Sequence, residues 1–442
     1  MKLKVFFASD GDCLLLTSGD GRHVLVDGGR RGSFEQQTRP LLLDMAGSKS
    51  AIELVVVSHI DADHISGVIS LLEDVAAWAV HDFQVNEGQN ATFPEPTRPR
   101  PPEIKGLWHN SWRAVLGDLA GPIEALAVNV SAAMELASPG AADGSDAARR
   151  ALESVTELAE SIPDGIKLMR LVDDGTPIQR NASFGAKLVR LRRPVHTEQV
   201  GTTTLTVLGP SEKHLSRLRD EWRDWLKRHR NSAQPGSRGA GGEELGDFEL
   251  RLASSVPTSA DEARTFLASI AQAAEIIEKT NPTRVTPPNR ASITLLAEEN
   301  GRTCLLTGDA AEEELVEGLS AAGCFASGPF RCNVVKVQHH GSEFNLSKEF
   351  ASQVLADHYV FCADGAHGNP NPSVVKTIIE SRLEAAGPFT IWFNCSERRT
   401  IPQRRKALRA AIREAREAAS RHTDRITVKV LDDDQPFFEI EV

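Results

Sequence analysis

The side chains best suited to binding metal ions stand close together in the segment Ser58–His64, which reads SHIDADH. His59, Asp61, Asp63 and His64 lie within six consecutive positions. Imidazole nitrogens and carboxylate oxygens are common ligands of divalent cations. Side chains alternate along an extended chain, so this loop could offer one pair of ligands to each of two ions.

The sequence on either side of this loop predicts a strand and a helix that hold it. Leu54–Val57 is a β-branched apolar run typical of a buried strand. Ile65–Asp74 has apolar residues at helical spacing. The alternative interpretation is a polar turn that caps the helix, with Asp63 near its positive end. That alternative explains one carboxylate but not the two imidazoles.

Other predicted strands also end in polar residues. Asp27 follows the strand His23–Val26, and Asp309 follows a strand that ends in Leu305-Leu306-Thr307. The strand Val334–Val337 leads to the pair His339-His340, and a further strand leads to the loop 364–371. Because side chains at strand ends project onto one rim of a sheet, we expect Asp309, the His339-His340 pair and the loop 364–371 to meet the 59–64 loop. Together they would supply a hydrolytic centre with two metal ions.

Composition restricts the class of protein. The chain has 442 residues, of which 40% are hydrophobic and 25% charged, as in ordinary folded proteins. Its net charge of −11 argues against a sequence-independent nucleic-acid coat protein, so nucleic acid would need a local patch or metal ions. The six scattered cysteines predict reduced core thiols. No segment is apolar enough to span a bilayer, and no signal peptide develops, so we expect a cytoplasmic protein without membrane contact.

Between the strand ends the sequence predicts mainly helices. We expect helices near Phe34–Met45 and Trp108–Leu119, the latter with Trp108 and Trp112 as a packing pair, and strands at Ala76–Asn86 and Lys187–Leu191. The glycine-rich stretch 231–246 predicts a flexible loop.

The motifs in their order resemble the metallo-β-lactamase superfamily, and in particular its ComEC-like branch. That branch has H-x-D-x-D-H where lactamases have H-x-H-x-D-H. The segments that carry the resemblance are ASDGDCLLL, VLVDGG, SHIDADHISG, LTVLGPS, NRASITLL, CLLTGDA, VVKVQHHGS and DGAHGNPNPS. The resemblance implies an α/β fold, the αββα sandwich of two packed mixed β-sheets flanked by helices. It implies one domain over 1–442, with mainly helical insertions at 87–185 and 212–285.

The resemblance also implies a metal-ligand set. Its members are His59, Asp61, Asp63, His64, Asp309 and His340. His59 and Asp61 would serve one ion, Asp63 and His64 the other, and Asp309 would bridge both.

Further residues would support the metal centre or act on the substrate. Asp27, Ser342 and Asn371 would orient the ligands. Catalytic roles would fall to Asp63, His339, His367 and Lys336. The chain departs from the family at Gly368-Asn369-Pro370, where relatives often have Gly-His-Pro, and His367 is the candidate for the missing imidazole. For Lys336, a solvated position on its strand is an equally good interpretation.

The implied function is metal-dependent hydrolysis by water that two divalent ions activate. Asp61 in place of an imidazole favours Mn²⁺ or Mg²⁺ without excluding Zn²⁺. The leading hypothesis is a phosphodiesterase or nuclease acting on nucleic acid or another phosphodiester. One alternative is a hydrolase of small esters, phosphocholine esters, lactones or thioesters, whose insertions shape a closed pocket. Another is a non-catalytic subunit whose insertions bind a protein partner.

Overall fold

Two mixed β-sheets form the centre of the protein. A computed structural model describes residues 1–136, 161, 163–232, 257–264 and 289–442. The strands, numbered along the chain, are β1 Lys2–Phe6, β2 Leu14–Thr17, β3 His23–Val26, β4 Ile52–Val57, β5 Leu107–His109, β6 Thr197–Val200, β7 Thr203–Gly209, β8 Thr294–Glu299, β9 Arg302–Leu306, β10 Phe330–Lys336, β11 Val354–Phe361, β12 Phe389–Phe393, β13 Ile426–Val430 and β14 Phe437–Glu441.

Each sheet combines an antiparallel half with a parallel half. The first sheet has the order β14-β1-β2-β3-β4-β5, and the second has the order β13-β12-β11-β10-β9-β8-β7-β6. Strands β3, β4 and β5 are parallel to one another, as are β9 to β13. The candidate metal ligands follow the carboxyl ends of β4, β9 and β10, all of which are parallel strands.

Helices cover both outer faces of the sheets. The longer ones are α1 Arg39–Gly47, α2 Ala62–Asn86, α3 Trp112–Leu116, α4 Ala120–Leu136, α5 Glu212–Ser232, α6 Glu312–Ala321, α7 Lys348–Gln353, α8 Pro372–Glu384 and α9 Arg405–Arg421. Short helical segments are Arg31–Ser33, Phe34–Thr38, Gly117–Leu119, Leu171–Gly175, Ala182–Phe184, Asn289–Ala291, Gln338–Gly341 and Ala366–Gly368, with further helical residues at 163–170 and 260–264.

Three hydrophobic layers account for the αββα order. On β4, Val56 faces the second sheet, whereas Val55 and Val57 face the helical layer that includes α2. On β9, Leu306 faces the first sheet, and Leu305 packs under the helical layer that includes α6, α8 and α9. Fully burying one such side chain contributes about 1.5–3 kcal/mol. Strands buried on both faces read as continuous apolar runs, which is why β4 was recognisable in the sequence. The predicted fold class is confirmed.

The strand predicted at Ala76–Asn86 is wrong, because this stretch is the second half of α2. Its β-branched and aromatic residues suggested a strand. However, no glycine or proline interrupts the chain between Gly67 and Gly88, so the helix that begins at Ala62 continues. Val80 and Phe83 are about half exposed on this part of the helix.

The helix predicted at Trp108–Leu119 is also partly wrong. Trp108 lies on β5, opposite Val56 of β4, and its ring meets Phe184 edge to face. The helix begins only at Trp112, after Ser111 has capped it by accepting a hydrogen bond from a backbone amide. Trp108 and Trp112 therefore belong to different elements and do not form the predicted helical pair.

Lys187–Leu191, predicted as a strand, is irregular and joins neither sheet, so this prediction is wrong. The side chain of Asn110 holds its middle residue by donating to the Val189 carbonyl at 2.7 Å and accepting from the Val189 amide at 2.8 Å. A side-chain amide here takes the place of a neighbouring strand.

The two insertions stay predictions. Strand β5 lies inside 87–185 and extends the first sheet, and α5 opens the stretch 212–285. Apart from residues 231 and 232 in α5, the predicted loop 231–246 lies outside the described residues. Within the described ranges, no helix combines the length and apolarity needed to cross a membrane. The six cysteines are free thiols, and all but Cys324 are buried.

Candidate metal centre

Four imidazoles surround one carboxylate oxygen, Oδ2 of Asp309. The Nε2 atoms of His340, His64, His339 and His59 lie 3.1, 3.5, 3.8 and 4.0 Å from it. His59 and His64 follow β4 of the first sheet, whereas Asp309 and the His339-His340 pair follow β9 and β10 of the second. The polar residues after these parallel strands thus meet at one place, as the sequence predicted.

Hydrogen bonds on the far side of the rings decide where the imidazole protons lie. Nδ1 of His64 donates to Oδ2 of Asp27 at 2.8 Å, and Nδ1 of His340 donates to the carbonyl of Cys362 at 2.7 Å. A carboxylate and a carbonyl only accept, so in the neutral rings each Nε2 presents a lone pair. The Nε2 atoms of His64 and His340 nevertheless face each other at 3.3 Å.

Two lone pairs and a carboxylate oxygen at such distances repel one another unless a cation lies among them. Nε2 of His59 and Oδ1 of Asp12 are buried without a hydrogen-bond partner among the described residues. Unpartnered buried polar atoms are costly, and metal coordination is one way to satisfy them. These residues therefore fit a bound divalent cation.

Two aspartates at the start of α2 add to the anionic surroundings. Oδ2 of Asp63 lies 3.2 Å from Nε2 of His340, and Oδ2 of Asp61 lies 3.4 Å from Nε2 of His59. Asp61 occupies the N-cap position of α2, yet its side chain makes no capping hydrogen bond. The alternative interpretation placed Asp63 near the start of the helix, and Asp63 does lie in the first turn of α2; it does not account for Asp61, whose carboxylate lies beside the imidazole of His59.

The predicted extended loop over residues 59–64 is wrong in its second half. Helix α2 begins at Ala62, so Asp63 and His64 belong to its first turn. The helical backbone, rather than the alternation of an extended chain, places Asp63 beside His340 and His64 beside Asp309.

Opposite charges in the cluster shift the protonation of its members. Burial alone would lower the pKa of His64, but the carboxylates led by Asp309 and Asp63 hold it well above its usual value. Burial alone would raise the pKa of Asp63, but His64, His340 and Arg30 hold it below its usual range. The same field of carboxylates favours any cation here, whether a proton or a metal ion.

Lys336 occupies a buried position between two carboxylates. Its Nζ lies 2.5 Å from Oδ2 of Asp12 and 3.3 Å from Oδ1 of Asp309, and it donates to the Gly308 carbonyl at 3.0 Å. Burial opposes its charge, yet Asp12 and Asp309 raise its pKa. The solvated position considered for Lys336 is therefore wrong. Because the ammonium engages Oδ1 of Asp309, the other oxygen is left to face the imidazoles.

Sequence reasoning assigned no role to Asp12. Its carboxylate lies 3.5 Å from Nδ1 of His340, and with His64 and His340 it forms one of two groups that could hold an ion. The second group is His59, His64 and Asp309. Asp12 sits in the turn after β1, where an acid beside a glycine is common, so spacing gave little signal. The sequence offered one hint, the glycine directly before Asp12. In the structure a Cβ on Gly11 would lie 1.6 Å from the Asp63 carbonyl oxygen.

Two serines that the prediction also missed support the ligands. Ser58 donates its backbone amide and its hydroxyl to the carboxylate of Asp27, at 2.7 and 2.6 Å. The hydroxyl of Ser292 accepts from the Asp309 amide at 3.3 Å and lies 3.4 Å from Nδ1 of His59. Asp27 thus contacts both Ser58 and His64.

His339 and its loop form the more open side of the cluster. Its side chain is 22% exposed, the largest value among the four imidazoles. Nδ1 of His339 donates to Oδ1 of Asn345 at 2.8 Å, while Asn345 donates to the carbonyls of Asp309 and Ala310. Asn289 donates to Nε2 of His339 at 3.3 Å.

Ser342 and Asn371 act on the backbone of the His339-His340 loop. The Ser342 amide donates to the His339 carbonyl at 2.9 Å, and the Asn371 amide donates to the Gly341 carbonyl at 2.9 Å. The side chain of Asn371 accepts from the Glu343 amide at 2.7 Å. These contacts hold His339 and His340 in left-handed backbone conformations, with φ of 46° and 54°.

His367 is the one predicted site residue that the structure leaves apart. It is exposed on the turn Ala366–Gly368. Among the described residues, neither of the two groups that could hold a metal ion includes it. Asp12, the further acid near His340, lies on the Nδ1 side of that ring at 3.5 Å, whereas Nε2 of His340 faces Asp309.

Comparison with known proteins agrees with this architecture. Residues 8–116 match the model of the metallo-beta-lactamase superfamily, a range that includes Asp12, Asp27 and His59–His64. A comparison with curated proteins found no match. The fold is that of the metallo-β-lactamase sandwich, and the matched segment together with the two ligand groups indicates a metal-dependent hydrolase.

Proposed function

We propose that the protein is a metal-dependent phosphodiesterase, most specifically a nuclease. The observation that carries the proposal is the convergence of four imidazole Nε2 atoms on Oδ2 of Asp309. The H-x-D-x-D-H form of the first motif supports the choice of a phosphodiester, because it resembles the ComEC-like branch.

The ligand set favours two divalent ions, held by the imidazoles together with Asp61, Asp63 and Asp309. The carboxylates favour Mn²⁺ or Mg²⁺, and the imidazoles are equally suited to Zn²⁺. A bound ion would polarise a phosphoryl oxygen and lower the pKa of a water molecule.

The chain's own residues prepare the site for this chemistry. Lys336 holds one oxygen of Asp309, and Asp27 holds the ring of His64. Burial lowers the pKa of His339. Its Nδ1 donates to Asn345, which leaves Nε2 unprotonated in the neutral ring, on the more exposed side of the cluster.

The test is incubation with Mn²⁺ and circular, linear and single-stranded DNA and RNA, with bis-p-nitrophenyl phosphate as a small diester. We expect metal-dependent hydrolysis that Asp63→Ala lowers by at least ~100-fold, since it removes a carboxylate beside His340. Asp434→Ala, at an exposed aspartate, is the matched control and should leave the rate unchanged. Equal rates for wild type and Asp63→Ala on every substrate would refute the proposal.

The same panel separates the other functions. Carboxylic esters, a phosphocholine ester, a lactone and a thioester are included, and turnover of these alone would indicate a small-molecule hydrolase. Bound metal without turnover of any substrate would indicate a subunit that acts through a protein partner.

A further inference from the structure

Two arginines form a network with two aspartates. Arg30 donates from Nε and Nη2 to the two oxygens of Asp10, at 2.8 and 3.1 Å. Arg404 reaches both carboxylates through Nη1, which lies 2.8 Å from Oδ2 of Asp364 and 3.4 Å from Oδ2 of Asp10. Its Nε and Nη2 are not used in these two contacts.

Both aspartates belong to loops that also form the metal centre. Asp10 stands two residues before Asp12, and Gly11 between them packs against the Asp63 carbonyl. Asp364 stands two residues after Cys362, whose carbonyl accepts from His340. The network therefore adjoins the metal ligands.

In this network the arginine side chains are partly exposed and the aspartate side chains are buried. The side chains of Arg30 and Arg404 are each 32% exposed, whereas those of Asp10 and Asp364 are each 6% exposed. The carboxylates lie beneath and fix the direction of the guanidinium groups, and the cationic groups face solvent. Pre-orientation of this kind reduces the entropy lost when an arginine binds a ligand.

The metal centre alone gives little attraction for an anion. Three aspartates, Asp61, Asp63 and Asp309, would nearly neutralise two divalent ions. An anionic substrate would therefore gain from hydrogen-bond donors outside the ligand set. Asp10 and Asp364 balance the charge of Arg30 and Arg404, so these guanidinium groups would contribute as oriented, partly exposed donors. Guanidinium groups match the geometry of phosphate oxygens and bind them through paired hydrogen bonds.

We propose that Arg30 and Arg404 form a phosphate-binding site at the rim of the metal centre, which holds a phosphate group of the substrate. The inference rests on the proposed phosphodiesterase function and names the part of the substrate that is recognised. Asp10 and Asp364 act as positioning residues that hold the two guanidinium groups.

Calorimetric titration of Mn²⁺-loaded protein with inorganic phosphate tests this without turnover. We expect Arg30→Gln and Arg404→Gln each to weaken phosphate binding about tenfold, or ~1.4 kcal/mol. Arg404→Lys keeps the charge but loses the planar fork, and it should bind with intermediate affinity. Arg409→Gln, at an exposed arginine of α9 that pairs with Glu397, is the matched control and should bind as wild type does.

Kinetics supply a second measurement. With bis-p-nitrophenyl phosphate, the two glutamine variants should raise KM more than they lower kcat, and metal content should stay at the wild-type level. If Arg404→Gln fails to fold, Arg30→Gln and Arg404→Lys carry the test.

Two results would overturn the inference. One is a wild-type protein that does not bind phosphate, and the other is equal phosphate binding by wild type and both glutamine variants. Absence of diester hydrolysis by wild type would instead refute the proposed function, and it is measured separately. Phosphate also binds metal ions directly, so the decisive quantity is the difference between variants.

Discussion

At the scale of single residues, acceptors behind the rings determine what the metal centre presents. Asp27 accepts a hydrogen bond from Nδ1 of His64, and the Cys362 carbonyl accepts one from Nδ1 of His340. In each neutral ring this leaves the lone pair on Nε2, which faces Asp309. Histidine ligands commonly have such outer partners, which fix the tautomer and orient the ring. The positions of these two acceptors therefore determine how His64 and His340 are oriented.

Lys336 is the residue whose loss should disturb the cluster most without removing a candidate ligand. Lys336→Met leaves Asp12 and Asp309 buried without their shared cation. Breaking a buried ion pair from one side costs about 3–5 kcal/mol, so we expect the free energy of unfolding of metal-free protein to fall by that amount. Urea unfolding measures it.

The control for this substitution is Lys348→Met, at a lysine that is 61% exposed and pairs loosely with Glu384. A change within about 0.5 kcal/mol is expected there. Equal stability of the two variants would show that Lys336 does not balance the buried carboxylates.

At the scale of elements, the close approach of α2 to the end of β3 places two ligands. The Gly28 amide donates to the His64 carbonyl at 2.8 Å, and the Gly67 amide donates to the Gly29 carbonyl at 2.9 Å. A Cβ on Gly67 would lie 2.1 Å from the Gly28 carbonyl oxygen. Only glycine at position 67 allows the first turn of α2, with Asp63 and His64, to lie this close.

Gly67→Ala should therefore move the first turn of α2 away from β3. We expect a loss of about 1–3 kcal/mol in the free energy of unfolding, together with weaker binding of Mn²⁺. Gly47→Ala is the control, because a Cβ there meets open space at the end of α1. Denaturant unfolding and a metal titration of both variants check this. Metal affinity in Gly67→Ala equal to that of wild type would contradict the account.

The sequence predicted the parts of the fold that depend on local pattern. Leu54–Val57, inside β4, was found because both of its faces are buried. The end of α2 was missed because its half-exposed apolar residues carry no clear period. Trp108 was missed because a strand of three residues is too short to show alternation.

In the site too, residues with a local sequence pattern were predicted and residues without one were missed. His59, His64, Asp309 and His340 were predicted from motifs at strand ends, and the structure brings them together. Asp12 was missed because its contacts with His340 and Lys336 come from residues more than 300 positions away, which no local spacing reveals. His367 was selected from its nearness in sequence to a departure from the family pattern, and it lies exposed on a turn.

At the scale of the whole molecule, the candidate metal centre lies between the two sheets. His59 and His64 come from the first sheet's side, and Asp309 and His340 come from the second. A cation bound among them links the sheets only in the folded state. Metal binding is therefore coupled to the stability of the entire sandwich.

This coupling predicts that stability depends on metal concentration. Raising free Mn²⁺ to about 100 times its dissociation constant should add about 2.7 kcal/mol per site to the free energy of unfolding. Thermal unfolding of metal-free protein across a Mn²⁺ series checks this, with Asp309→Asn as the variant that should lose most of the dependence. A melting temperature of the wild type that does not change with Mn²⁺ would contradict the link between the sheets.

The most direct test of the central claim is anomalous diffraction at the manganese absorption edge from crystals grown with Mn²⁺. We predict strong anomalous density within coordination distance of Oδ2 of Asp309 and of Nε2 of His64 and His340. Anomalous density elsewhere, or none in fully exchanged crystals, would contradict the claim that the converging imidazoles bind a metal ion.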